Sequence, residues 1–114
     1  MRLAVATAAV LVLSGCGTVR PADNSTLILN DPYWDRVNVE VVITRRDNCD
    51  SRDEGYISTQ QVVMRKSTTE RFNFPNGATI CWRHDRNPAN PVPGAWSDWT
   101  KGRVDPGGTA ETDL

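Results

Sequence analysis

The stretch Val37-Asn38-Val39-Glu40-Val41-Val42-Ile43-Thr44 decides the fold class of this chain. Val37, Val39, Val41 and Ile43 alternate with Asn38, Glu40, Val42 and Thr44, the period of two that lays one side of a β-strand on a core and turns the other away. A helical period would scatter the same valines around a cylinder. Further strand candidates lie on either side: Thr26 to Leu29, Tyr56 to Met64, Thr68 to Phe74, Ala78 to His84, Ala95 to Val104 and Thr109 to Leu114, each bounded by Gly, Pro, Asn or Asp. Pro75-Asn76-Gly77 is the clearest turn, and because Phe74 and Ala78 flank it so closely it predicts a hairpin. No segment carries a long helical period with caps. The expectation is one all-β domain over residues 26–114, a small sandwich or barrel of about six or seven strands.

Ahead of the domain, Met1-Arg2 supplies a positive charge and residues 3–13 form an uncharged run of Leu, Ala, Val and Thr, followed by Ser14-Gly15-Cys16. Such a run has the length of a signal-peptide core, short of the roughly 20 apolar residues that a spanning helix needs. Leu13-Ser14-Gly15-Cys16 resembles the lipobox of bacterial lipoproteins. The resemblance covers residues 1–16 and implies that 1–15 are removed, that the Cys16 sulfur receives diacylglycerol and that the new amine is acylated. Two or more acyl chains give stable membrane retention where one gives only marginal binding. Gly17 follows the cysteine where lipoproteins kept in the inner membrane of enteric bacteria often carry Asp, so the resemblance points to the outer membrane, facing the periplasm. Residues 16–25 then read as a lipidated tether, too polar and too poor in bulky side chains to pack.

Removing residues 1–15 from the 114 leaves 99, enough for one small core and too few for a deep catalytic cleft. Arg2 is the only charge lost, so 13 Lys+Arg against 14 Asp+Glu becomes 12 against 14. That weak negative balance argues against nucleic acid as a partner, and no polybasic stretch is present to hold lipid headgroups.

Of the three cysteines, the resemblance assigns Cys16 to lipid, which leaves Cys49 and Cys81 as an even pair in an oxidising compartment. A disulfide between them closes a loop that the chain-entropy argument values at roughly 3–4 kcal/mol. In the strand containing Cys81, Ile80, Trp82 and His84 share one side and Thr79, Cys81 and Arg83 the other. If Ile80 and Trp82 face the core, the bridge runs along the outside of the sheet into the polar loop around Cys49.

Candidate chemistry is sparse. Cys81 and His84 point to opposite sides and lack further ligands of their kind, so no metal or cofactor is expected. His84 is the only histidine, without a nucleophile elbow or a phosphate loop, which sets an enzyme well behind a binding role. Asp50, Asp53 and Glu54 miss the calcium-loop spacing and read as a solvated acidic turn.

Three of the four tryptophans fall between Trp82 and Trp99. There they mix with arginines, amides and the prolines Pro88, Pro91 and Pro93. Trp82 is expected in the core and the loop from Arg86 to Gly94 exposed. The candidate binding residues are Arg83, Arg86, Asn87, Asn90, Trp96 and Trp99, with Trp96 and Trp99 expected on opposite faces of a strand. Their partner would be an envelope protein or, alternatively, a cell-wall glycan such as peptidoglycan. For Trp96 and Trp99 themselves, core filling and ligand contact are both open at this level.

Overall fold

The computed structural model describes residues 23–114. Cys16, the signal segment and all but the last residues of the tether lie outside them. Seven strands follow in order: β1 Asn24–Asp31, β2 Val37–Thr44, β3 Tyr56–Met64, β4 Thr68–Pro75, β5 Thr79–His84, β6 Thr100–Gly102 and β7 Thr109–Asp113. They form two sheets, one with the order β4-β1-β7 and one with the order β3-β2-β5-β6. All neighbours are antiparallel except β1 and β7, which run parallel. The chain is therefore an all-β sandwich.

The alternation in β2 does what its spacing predicts. Val37, Val39, Val41 and Ile43 are buried between the sheets with Met64, Ile80 and Trp82 from the same sheet and Leu27, Leu29, Phe72 and Phe74 from the other. Each such side chain contributes about 1.5–3 kcal/mol on burial. Trp34, Val62, Val104, Ala110 and Leu114 close the margins. In β1 the core alternation extends to both ends, because Ser25 and Asp31 are inward and fully buried. Ser25 Oγ donates to the Asp105 carbonyl at 2.9 Å, and Asp31 Oδ1 accepts from Tyr33 and Trp34 backbone N–H groups at 2.9 Å. Those side-chain bonds let polar residues end a buried strand, and they start β1 at Asn24, within the stretch expected to be tether.

Two expectations are corrected. The turn at Pro75-Asn76-Gly77 forms, with Ala78 N–H donating to Pro75 O at 3.2 Å and Gly77 at φ +83°, which a glycine adopts without steric cost. It does not join a hairpin: β4 pairs with β1 and β5 with β2, so the turn carries the chain from one sheet to the other. Asn76 Oδ1 pins that corner by accepting from Gly107 N–H at 3.0 Å, with Ser25 Oγ also 3.0 Å away.

The strand expected over Ala95 to Val104 contracts to Thr100–Gly102 and an isolated bridge between Asp85 and Trp96. Ser97 is the reason. Its Oγ accepts the His84 backbone N–H at 3.1 Å, so a side chain occupies a donor that a ladder would use.

Candidate functional site

The outer side of the four-stranded sheet carries a second layer of structure. Strand parity places Cys81 and Val42 side by side there, and both are fully buried although they face away from the core. What covers them is the loop after β2. Cys49, whose Cα lies 6.0 Å from that of Cys81, is bonded to it as a disulfide, and Tyr56 and Trp99 pack on the bridge. Arg52 holds the loop from outside: its guanidinium donates to Cys49 O at 2.9 Å and sits 5.1 Å from the Tyr56 ring centre. Trp99 Nε1 donates to Asp50 Oδ1 at 2.9 Å and ties in the other end.

Two residues further along the same face, Gln61, Glu40 and Arg83 form a cross-strand row. Glu40 is only 7% exposed, which requires a compensating partner. Arg83 provides it, with Nε at 2.8 Å and Nη2 at 2.6 Å from Glu40 Oε1, while Gln61 Nε2 donates to the other oxygen at 3.3 Å. The Arg83 guanidinium is then stacked beneath both Trp99, 4.1 Å from its ring centre, and Trp96, at 5.1 Å. The opposite-face expectation for these two rings is thereby corrected, since the segment between them leaves the regular strand. Arg83 is consumed by this arrangement and acts as a structural clamp.

Beside the clamp lies an open cleft of about 490 Å³ lined by Asn38, Gln61, Asp85, Trp96 and the run Pro91-Val92-Pro93-Gly94. Its polar side is fixed: Asp85, 6% exposed, accepts at Oδ2 from Asn38 backbone N–H at 2.8 Å and Asn38 Nδ2 at 3.0 Å. Its apolar side is the proline loop, folded on itself through Asn90 N–H to Asn87 O at 3.0 Å, Ala95 N–H to Val92 O at 2.9 Å and Arg86 N–H to Ala95 O at 2.9 Å. Val92 stands 57% exposed at the rim.

Comparison with family models, with characterised proteins and with solved structures finds no match to this chain.

Of the residues singled out from sequence, Trp96 lines the cleft, and Arg83 and Trp99 support it from behind. Arg86, Asn87 and Asn90 are exposed on the same loop but do not line the cleft. Trp82 is in the core as expected. His84 donates from Nδ1–H to Asp85 O at 2.7 Å and its ring lies 4.7 Å from the Trp34 ring. The acidic turn is dispersed, with Asp50 on Trp99 and Glu54 3.7 Å from Arg46. Among the described residues no group of three or more His, Cys, Asp or Glu side chains could hold a metal.

Asn38, Glu40 and Gln61 were not singled out from sequence. Glu40 carried a signal, being a charge inside an otherwise uncharged strand, but its partner Arg83 lies 43 residues away and only the register brings them together.

Proposed function

We propose that this chain is a lipid-anchored protein of the bacterial cell envelope, tethered through Cys16 and facing the periplasm from the outer membrane, whose β-domain serves a structural or protein-interaction role. The cleft between the proline loop and Trp96 carries the interaction part of this reading. It combines an exposed apolar rim with polar groups that are already immobilised, so a partner meets little ordering cost. The Cys49–Cys81 bridge supports export to an oxidising compartment and leaves Cys16 as the odd cysteine, available for lipid.

A glycan ligand is the second reading. What favours it is the placement of an indole beside the Asn38 and Gln61 amides and the Asp85 carboxylate, an apolar platform next to hydroxyl-binding groups.

Fractionation of cells expressing the full chain tests the address. Wild type should sediment with membranes and Cys16→Ser should be unprocessed or soluble; a fully processed Cys16→Ser chain still in the membrane contradicts the anchor. Co-sedimentation with purified cell-wall polymer separates the two ligands. Retention that is lost in Val92→Asp selects the glycan, and absence of retention selects a protein partner.

A further inference from the structure

Two rows of side chains cross the outer face of the four-stranded sheet beside the cleft, and they differ by one charge. The first is Gln61, Glu40 and Arg83, in which a nearly buried carboxylate meets its guanidinium under the rings of Trp96 and Trp99. The second is Val63, Asn38, Asp85 and Trp96: Val63 opposes Asn38 across the β3–β2 ladder, Asn38 bonds to Asp85, and an antiparallel bridge opposes Asp85 to Trp96. This row repeats the carboxylate and the indole, and Asp85 at 6% exposure is as buried as Glu40 at 7%. What it lacks is the cation. Asp85 Oδ2 accepts only from neutral groups, the Asn38 backbone N–H and Nδ2, and no described Lys or Arg forms an ion pair with it. Arg86, its neighbour in sequence, is exposed and does not line the cleft. The other oxygen, Oδ1, accepts from no described residue, yet it is not sealed in: the enclosed side-chain oxygens without a partner among the described residues are Asp31 Oδ2 and Thr79 Oγ1. Asp85 Oδ1 therefore opens on the cleft that Asp85 lines. The amides add acceptors, since Asn38 Nδ2 and Gln61 Nε2 donate to the two carboxylates while neither side-chain carbonyl oxygen accepts from a described residue.

We infer that the cleft takes a cationic side chain, the guanidinium of an arginine or the ammonium of a lysine, presented by a protein partner. This rests on the reading of the cleft as an interaction site and names what enters it. A carboxylate so nearly closed off from water requires compensation. The two rows together hold two carboxylates and one guanidinium, so a second cation completes them. A guanidinium or ammonium at Oδ1 makes a charge-assisted hydrogen bond, stronger than one from a neutral hydroxyl. It also stands beside an indole, as Arg83 does in the neighbouring row. The facing wall suits the rest of such a side chain. Lys and Arg carry an apolar methylene stem ahead of the charge, and Pro91, Val92 and Pro93 offer it apolar surface. Val63, 44% exposed on the far side of Asn38, extends that surface.

NMR titration of the full chain in a non-ionic detergent tests this with capped single residues as probes: Nα-acetyl-arginine methylamide, its lysine equivalent, and its citrulline equivalent, which keeps the shape of arginine without the charge. The arginine and lysine probes should shift the Trp96 indole N–H and the Asn38 side-chain amide saturably. The citrulline probe should bind at least about tenfold more weakly, the worth of one hydrogen bond to a charged group. Asp85→Asn, which keeps an oxygen for the Asn38 N–H, should reduce the charged probes to the affinity of citrulline. Its amide spectrum reports whether the fold is kept, and the probe comparison on the wild-type chain stands without it. Equal affinity for charged and neutral probes, no shift at Trp96 from any probe, shifts from N-acetylglucosamine in place of the cations, or charged-probe binding unchanged in a folded Asp85→Asn each overturns the proposal. In cells, a benzophenone amino acid at Val92 separates this inference from the reading beneath it. A protein adduct lost in Asp85→Asn supports both. One kept in Asp85→Asn overturns the cation and leaves the interface, and the absence of any protein adduct overturns the protein partner even where the probes bind.

Discussion

The two outer faces of the sandwich are built from similar strands and finished in different ways. On the three-stranded sheet, Thr26 bonds to Asn73 at 2.8 Å, Thr69 to Asn30 at 2.7 Å and Asn30 to Glu111 at 2.8 Å, a single layer of polar side chains at the surface. On the four-stranded sheet, the Cys49–Cys81 bridge, the Glu40–Arg83 pair and two tryptophan rings make a second layer thick enough to bury Val42 and Cys81 completely. A small domain gains stability by covering apolar surface, but a cover built from a buried ion pair is an uncertain source of it, because desolvation offsets attraction. What this layer does deliver is rigidity beside an open cleft. The contrast is what underlies the proposal that one face serves interaction while the other is simply solvated.

Variants can break that contrast at graded cost. The largest effect belongs to the common core: Trp82→Ala should lose about 3–5 kcal/mol of unfolding free energy in denaturant titration, as large aromatic truncations do. Removing the bridge with Cys49→Ala and Cys81→Ala together should cost roughly 3–4 kcal/mol. A loss below about 1 kcal/mol would mean that the loop after β2 holds its place without the covalent tie. Arg83→Ala strands the Glu40 carboxylate in a nearly closed site, and since Arg83 is itself partly solvated the loss should be about 2 kcal/mol, below the 3–5 kcal/mol of fully buried pairs. Glu40→Gln in the same background should recover part of it, and no recovery would move the role of Arg83 from ion pairing to stacking alone. At the bottom of the scale, Arg71→Ala on the polar face and Val92→Asp at the cleft rim should each stay within about 0.5 kcal/mol of wild type. These last two differ in binding, which only Val92→Asp should abolish.

Much of this molecule is written in strand parity. The alternation from Val37 to Ile43 gives the core, and the same parity puts Cys81 opposite Ile80 and Trp82, so the outside course of the disulfide follows from sequence. Where side chains compete with the backbone, parity fails. Ser97 taking the His84 N–H ends the expected long strand and lets Trp96 and Trp99 turn to one guanidinium. Sheet membership fails for another reason: a proline-asparagine-glycine turn looks the same whether it closes a hairpin or crosses between sheets. The difference at Asn76 is made by Ser25 and Gly107, which lie far away in the chain. The pairing of the cleft residues Asn38 and Asp85 is invisible for that reason too, since it exists only once β2 and β5 are in register.

The division between the two faces is tested most directly by photo-cross-linking in intact cells from the full chain, with a benzophenone amino acid at Val92 in one variant and at Arg71 in another. Both sites are exposed, so labelling chemistry is matched and only the face differs. The account predicts a discrete adduct with an envelope protein or with cell-wall polymer from position 92 and none from position 71. Adducts of equal yield from both positions, or an adduct from 71 alone, would contradict it.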